Sequence, residues 1–477
     1  MTSPYGRRLA CAAAGMLAAA ANAQNLADAL TQARAADGSY ISWREHLIDD
    51  EALGGLPLRG GDGLAAADLD GDGFLDVVAV YESDDQYDGV PEGHIRIAFG
   101  SADPDRWTLT TLANGPEAGA AEDVAIGDVN GDGLPDIVAA CELAHVIYFV
   151  NPGKNPRSAK WARLIPSKAS DRGSFIRVFL ADFDGDGHSE IVTANKGAQD
   201  PARARQEPKE ISFFELRGMP LTDAAWNEHV LTRVPWPINS EPVDLDGDGD
   251  LDVVAGSVAE RRMFWFENRS SGARFDFAEH RVDVATTEAG VEPVVVHSFN
   301  MEFVDLSGDG RLDVVTFAAN GLLGPRAVWL EQPAAQDSPW QAHLIGTTAP
   351  DNLVGMSASD IDGDGDVDVF TGGYSGGSRT LDEEKPAAAL GRLAWFENRG
   401  EREFARHDIS RRQRGMFDKF IARDMDRDGD VDFLGTRGNS GPYDGLFWLE
   451  QVRSREPRPS FEQARAAESP EIPLPAR

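Results

Sequence analysis

The chain has 477 residues, 42% of them hydrophobic, and 80 acidic against 45 basic side chains give a formal net charge of −35. That balance excludes nucleic-acid binding, because phosphates would be repelled rather than neutralised, while the length alone allows roughly two to four domains. Over a third of the acidic residues sit in short glycine-punctuated segments rather than solvated runs, so the charge calls for hard counter-cations instead of disorder.

At the N-terminus, Arg7 and Arg8 precede an apolar stretch from Leu9 to Ala21, and Ala21-Asn22-Ala23 offers a small-x-small cleavage site. Residues 1–23 therefore read as a signal peptide, with the mature chain starting at Gln24 and destined for the periplasm or secretion. The paired arginines also fit the twin-arginine route. The stretch is too short and too weakly apolar to span a membrane, so no integral membrane segment is expected after its removal. Cleavage leaves one cysteine, Cys141, in the run Ile137-Val138-Ala139-Ala140-Cys141. It cannot form an intramolecular disulfide, and its apolar setting predicts buried packing.

A strand-like segment follows at Trp43-Arg44-Glu45-His46-Leu47-Ile48. Beyond it, one nine-residue pattern, D-x-D-G-D-G-x-x-D with variations, recurs seven times at intervals of 54 to 64 residues. A mixed apolar run leads into each copy, and a β-branched run such as Asp76-Val77-Val78-Ala79-Val80 follows it. Next comes an aromatic segment such as Phe264-Trp265-Phe266-Glu267-Asn268, then a fourth run with a histidine such as Phe277…His280-Arg281-Val282. Four short strands per repeat, seven times over, predict an all-β fold: a seven-bladed β-propeller with four-stranded blades over residues 40–452. The last repeat lacks its fourth strand, and the segment at Trp43 supplies one. The N-terminal strand is therefore expected to complete the final blade and close the ring, removing exposed edges. Five histidines, His46, His229, His280, His343 and His407, occupy the fourth strand and read as structural.

In each acidic loop, positions one, three, five and nine offer oxygen ligands, and the glycine at position six lets the backbone wrap an ion. The candidate ligands are Asp68, Asp70, Asp72 and Asp76 in the first loop, then Asp128, Asn130, Asp132 and Asp136 in the second. The third offers Asp182, Asp184, Asp186 and Glu190, and the fourth Asp244, Asp246, Asp248 and Asp252. The fifth has Asp305, Ser307, Asp309 and Asp313, the sixth Asp360, Asp362, Asp364 and Asp368, and the seventh Asp424, Asp426, Asp428 and Asp432. An all-oxygen set favours Ca2+, up to seven ions in structural sites, and argues against zinc or copper. The second and fifth loops have fewer carboxylates and should bind more weakly. The competing reading is that Asp and Gly serve turn chemistry alone.

Long insertions at 82–93, 196–209 and 373–392 decorate one face of such a ring. Candidate ligand-face residues ahead of the first strands are Arg172, Trp236, His297 and Lys419, a set suited to an acidic or hydroxyl-rich ligand. His297 lies outside the repeated histidine pattern and reads as either channel packing or an acid/base group. Residues 453–477, rich in Arg, Glu, Pro and Ser, read as a disordered C-terminal tail.

The seven Asp-Gly loops and the Trp-Phe-Glu-Asn segments resemble the FG-GAP/VCBS repeat family, whose best-known members are the integrin α-chain propellers. The resemblance implies calcium loops between the first two strands of each blade, on the face opposite the usual ligand surface. It does not fix a function. The leading expectation is an exported binding module for a glycan or protein ligand. The alternative is a sugar lyase or dehydratase, which would need His297, a second base and a cation converging in one pocket.

Overall fold

The computed structural model describes residues 25–83, 92–142, 145–158, 160–272, 274–286, 294–319, 321–335, 338–349, 351–374, 391–412, 415, 417–438, 443–465 and 471. The signal segment 1–23, and most of the insertions at 82–93 and 373–392, lie outside these residues. Seven antiparallel sheets follow one another along the chain, and the first strand of each is the innermost. These inner strands are Gly61–Ala67, Ala121–Gly127, Phe175–Ala181, Pro237–Val243, Glu302–Val304, Asn352–Ser359 and Phe420–Arg423. Blades are numbered one to seven in this order.

The second strands show why the ring holds. Asp76–Tyr81 and five of its counterparts are buried at every position, and Asp368–Tyr374 at all but Tyr374, because both faces of each sheet meet a neighbour. Along Asp76–Tyr81, Val78 and Val80 pack with Ile137 and Ala139 of blade two. Val77 and Ala79 point the other way, onto Leu434, Leu446 and Trp448 of blade seven. Strand alternation thus distributes the apolar residues over the joints between blades rather than one central core. Cys141 lies fully buried between blades one and two, and burial pushes its thiol pKa up.

The ring closes as the terminal strands anticipate. Tyr40–Asp50 pairs antiparallel with Gly445–Ser454 as the fourth strand of blade seven, with His46 opposite Trp448. Two blades gain a short fifth strand outside the fourth: Val284–Thr286 runs parallel to Trp340–Thr347, and Phe461–Glu462 runs parallel to Tyr40–Asp50.

The second of these departs from the expected tail at 453–477. Its first part packs instead of trailing. Phe461 is buried beneath the Arg412 guanidinium, the Ser460 amide donates to Ala29 O, and Thr31 donates to Arg458 O. An apolar anchor, backbone hydrogen bonds and the Arg465–Asp50 ion pair hold this segment, which average composition conceals.

The fourth-strand histidines have a shared structural task. His46, His229, His280, His343 and His407 lie against Trp448, Phe213, Trp265, Trp329 and Trp395, with centroids 4.1 to 4.8 Å apart. Each Nε2 also sits 2.6 to 3.0 Å from the glutamate two residues beyond that aromatic. In blade four, Arg269 and His280 together hold Glu267 down to about 2.

Candidate functional site: acidic loops and the ring axis

Every acidic loop connects the first and second strands of its blade. In the first loop the Asp68 carboxylate accepts from the amides of Gly71, Asp72 and Gly73 at 2.8, 3.2 and 2.9 Å. Asp128, Asp305 and Asp360 are held the same way. This wrap needs left-handed backbone at positions four and six, met by Gly71 and Gly73 at φ 74° and 86°. The seventh loop differs, with Arg427 in that region at φ 67°.

Carboxylate oxygens converge as a shared ion requires. Those of Asp68, Asp70 and Asp76 lie within 4.8 Å of one another, as do those of Asp182, Asp184 and Glu190, and of Asp360, Asp362 and Asp368. In the fourth loop the converging set is Asp244, Asp246 and Asp248. Oxygens each 2.3–2.6 Å from one ion would span about this distance, so these residues fit a hard divalent cation.

The ninth position is buried and ties the loop to its surroundings. Asp76 accepts from the amides of Leu69 and Gly100 at 2.8 and 2.9 Å, and the pattern repeats at Asp252, Asp313, Asp368 and Asp432. Burial raises these carboxylates, to about 6 at Asp76, about 7 at Asp252 and about 8 at Glu190, Asp368 and Asp432.

The residue whose amide caps position nine also reaches the preceding blade. The side-chain amides of Asn151, Asn268, Gln332 and Gln451 donate to Leu69 O, Phe183 O, Leu245 O and Ile361 O at 2.9 to 3.0 Å. Those carbonyls belong to position two of the neighbouring acidic loop, so loop and joint are braced together. The Trp-Phe-Glu-Asn repeat carries this signal at Asn268, although nothing in the sequence says that the amide crosses between blades. At Gly100 there is no side chain to cross, and a cleft of about 330 Å³ lined partly by Phe74, Trp107 and Arg427 opens between blades seven and one.

The four ligand-face candidates do not converge. Arg172 is engaged by Glu210 and Glu228 at 3.1 and 2.7 Å. Trp236 is buried in the apolar core at φ 50°, with Arg205 over its ring. His297 is 2% exposed, its Nε2 3.0 Å from Gly321 O, and burial lowers its pKa. Only Lys419 lines the axis, where a cavity of about 60 Å³ also meets Arg177, Asn239, Glu241, Asn300 and Glu302. Its Nζ lies 3.6 Å from Asp123. The axis is largely filled by this polar set: Arg177 reaches Asn300 at 3.2 Å and lies within 4 Å of Glu122 and Asp418.

Seven four-stranded blades in a closed ring, each with an acidic loop after its first strand, define a loop-bearing β-propeller. The family model for FG-GAP-like repeats matches residues 68–139, 128–193 and 244–316, which take in the first five acidic loops. These three matches, together with the seven-bladed ring, support the FG-GAP repeat propeller family. Among solved structures it is similar to the β-propeller domain of Cps50 (Swd1) from Myceliophteria thermophila. That likeness has 8% identity and a TM-score of 0.43, over 86% of this chain and 99% of that one. No curated protein matches the chain. Among the described residues, no helix is long and apolar enough to cross a membrane.

Proposed function

We propose that the protein is an exported interaction module: a propeller stabilised by calcium, which presents its loop-rich face to a glycan or protein ligand in the periplasm or outside the cell. The observation that carries this reading is the clustering of carboxylate oxygens within 4.8 Å in the third, fourth and sixth acidic loops. Asp182, Asp244 and Asp360 with their partners would hold the ions. A bound divalent cation supplies the charge that keeps such buried carboxylates ionised. The chain's own part is to fix the loop through backbone amides and to brace it against the next blade. The fold suits recognition, since rigid blades position variable loops.

Melting the EDTA-treated protein with added calcium tests the structural half. Each ion present at a hundred times its Kd stabilises by about 2.7 kcal/mol, so a saturable rise in Tm is expected, larger with calcium than with magnesium. An unchanged Tm would overturn the calcium reading. Incubation with acidic and neutral polysaccharides in calcium, read by retention and by mass spectrometry of products, tests the rest. Retention of one polysaccharide without products supports a glycan module. Shortened or unsaturated products would replace it with an enzyme.

A further inference from the structure

The acidic loops differ in a way their sequences do not show. Arg157 stands between the third and fourth strands of blade two, 87 residues from Asp70, yet its guanidinium lies in the first loop of blade one. Its Nε donates to Asp70 Oδ2, and its Nη2 donates to Asp72 Oδ2 at 2.6 Å and to Gly100 O at 3.0 Å. In blade five the loop's own seventh residue does the same. Arg311 Nη2 donates to Asp309 and its Nε donates to Gln332 O at 3.2 Å.

The acceptors correspond one to one. Asp72 and Asp309 are both fifth positions. Gly100 and Gln332 are both the residue after the third strand, whose amide caps the ninth carboxylate at 2.9 Å. Two arginines from unrelated places in the sequence therefore put a guanidinium on the same pair of oxygen acceptors. Among the described residues, no Lys or Arg ion pair reaches a first, third or fifth position in the other five loops.

We infer that the first and fifth loops are neutralised by the protein's own guanidinium groups, so that they stand without calcium while the remaining loops depend on it. The inference rests on the calcium reading of the family of loops. A guanidinium and Ca2+ compete for the same carboxylate oxygens, and a charge already held by two or three hydrogen bonds also repels an arriving dication. By acid count the first loop ranks with the strongest. With Arg157 in place it ranks with the fifth.

Native mass spectrometry of the full mature chain, titrated with calcium after EDTA, counts the ions directly. The wild type should bind at least two ions fewer than its seven loops, and R157Q and R311Q should each gain one. D364N, the fifth position of the sixth loop, should lose one, whereas D72N should lose none. The Asp72 substitution keeps the test decisive if R157Q fails to fold. Seven ions on the wild type, no gain in R157Q, or a lost ion in D72N would overturn the inference while leaving calcium binding intact. No ions on any form would remove the calcium reading itself, and the inference with it.

Discussion

Glu302 stands on the innermost strand of blade five, facing the axis beside Glu241 and within reach of the Lys419 charge. Burial, reinforced by Glu241, raises its pKa to about 8, against the opposing pull of Lys419 and the Ala358 amide. Glu241 is raised to about 7 by burial and by Asp123, although Lys419 and Arg177 act the other way. A carboxyl whose folded pKa exceeds its unfolded one costs stability as pH climbs from the unfolded value to the folded one. The protein should therefore lose stability between the ordinary glutamate range and about pH 8 on account of this pair. Replacing Glu302 by Gln fixes the neutral form. We expect E302Q to melt about 1–3 °C above the wild type near pH 8.5 and to match it near pH 4, as calorimetry at the two pH values would show. A gain of equal size at both would assign the effect to packing instead.

At the scale of elements, four of the joints between blades combine apolar packing with one buried amide that crosses them. Gln451 shows the joint at its fullest: its side chain donates to Ile361 O of blade six and Val431 O of its own loop, both at 3.0 Å. Truncation to alanine leaves two carbonyls without that donor, at about 1–3 kcal/mol each. Q451A should accordingly lower the urea midpoint without changing the slope, and N151A should do the same at the joint between blades one and two. This level is also where the sequence stops being legible. The acidic loops, aromatic strands and fourth-strand histidines repeat in residue type, and repetition makes them visible. The crossing amide does not repeat in type: it is Asn151, Asn268, Gln332 and Gln451, and in blade six Asn398 turns back to Val367 of its own loop. Arg157 is harder still, because its partners lie 85 and 87 residues away and only the curvature of the ring brings them together. The ligand-face candidates failed to converge for a related reason. Sequence places Arg172, Trp236 and His297 before inner strands but cannot say which of them turn back into the blade.

For the whole molecule, stability depends on the seam at blade seven, where Tyr40–Asp50 and Phe461–Glu462 complete a sheet begun by Phe420–Arg423. Phe461 is 4% exposed and packs against the same cluster as Trp43 and Phe447. Substituting it by alanine should cost about 3–5 kcal/mol, as a buried phenylalanine does. Removal of residues 455–477 should cost at least as much, and the comparison of Tm values checks both. Deleting residues 25–50 should be more severe, since it opens an edge along Gly445–Ser454. Size-exclusion chromatography should then find aggregates in place of a monodisperse peak.

The same seam sets a timetable for the nascent chain. Ser42 and Val452 meet in the closing sheet although 410 residues separate them. Synthesis at about 5–20 residues per second means that the earliest strand waits roughly 20–80 s for its partner to exist. Throughout that interval the blades already made can stack on one another, but the strand that locks them has nothing to pair with. Closure is a single late event, and whatever keeps the waiting strand from other sheet edges during those seconds bears on the yield of folded protein.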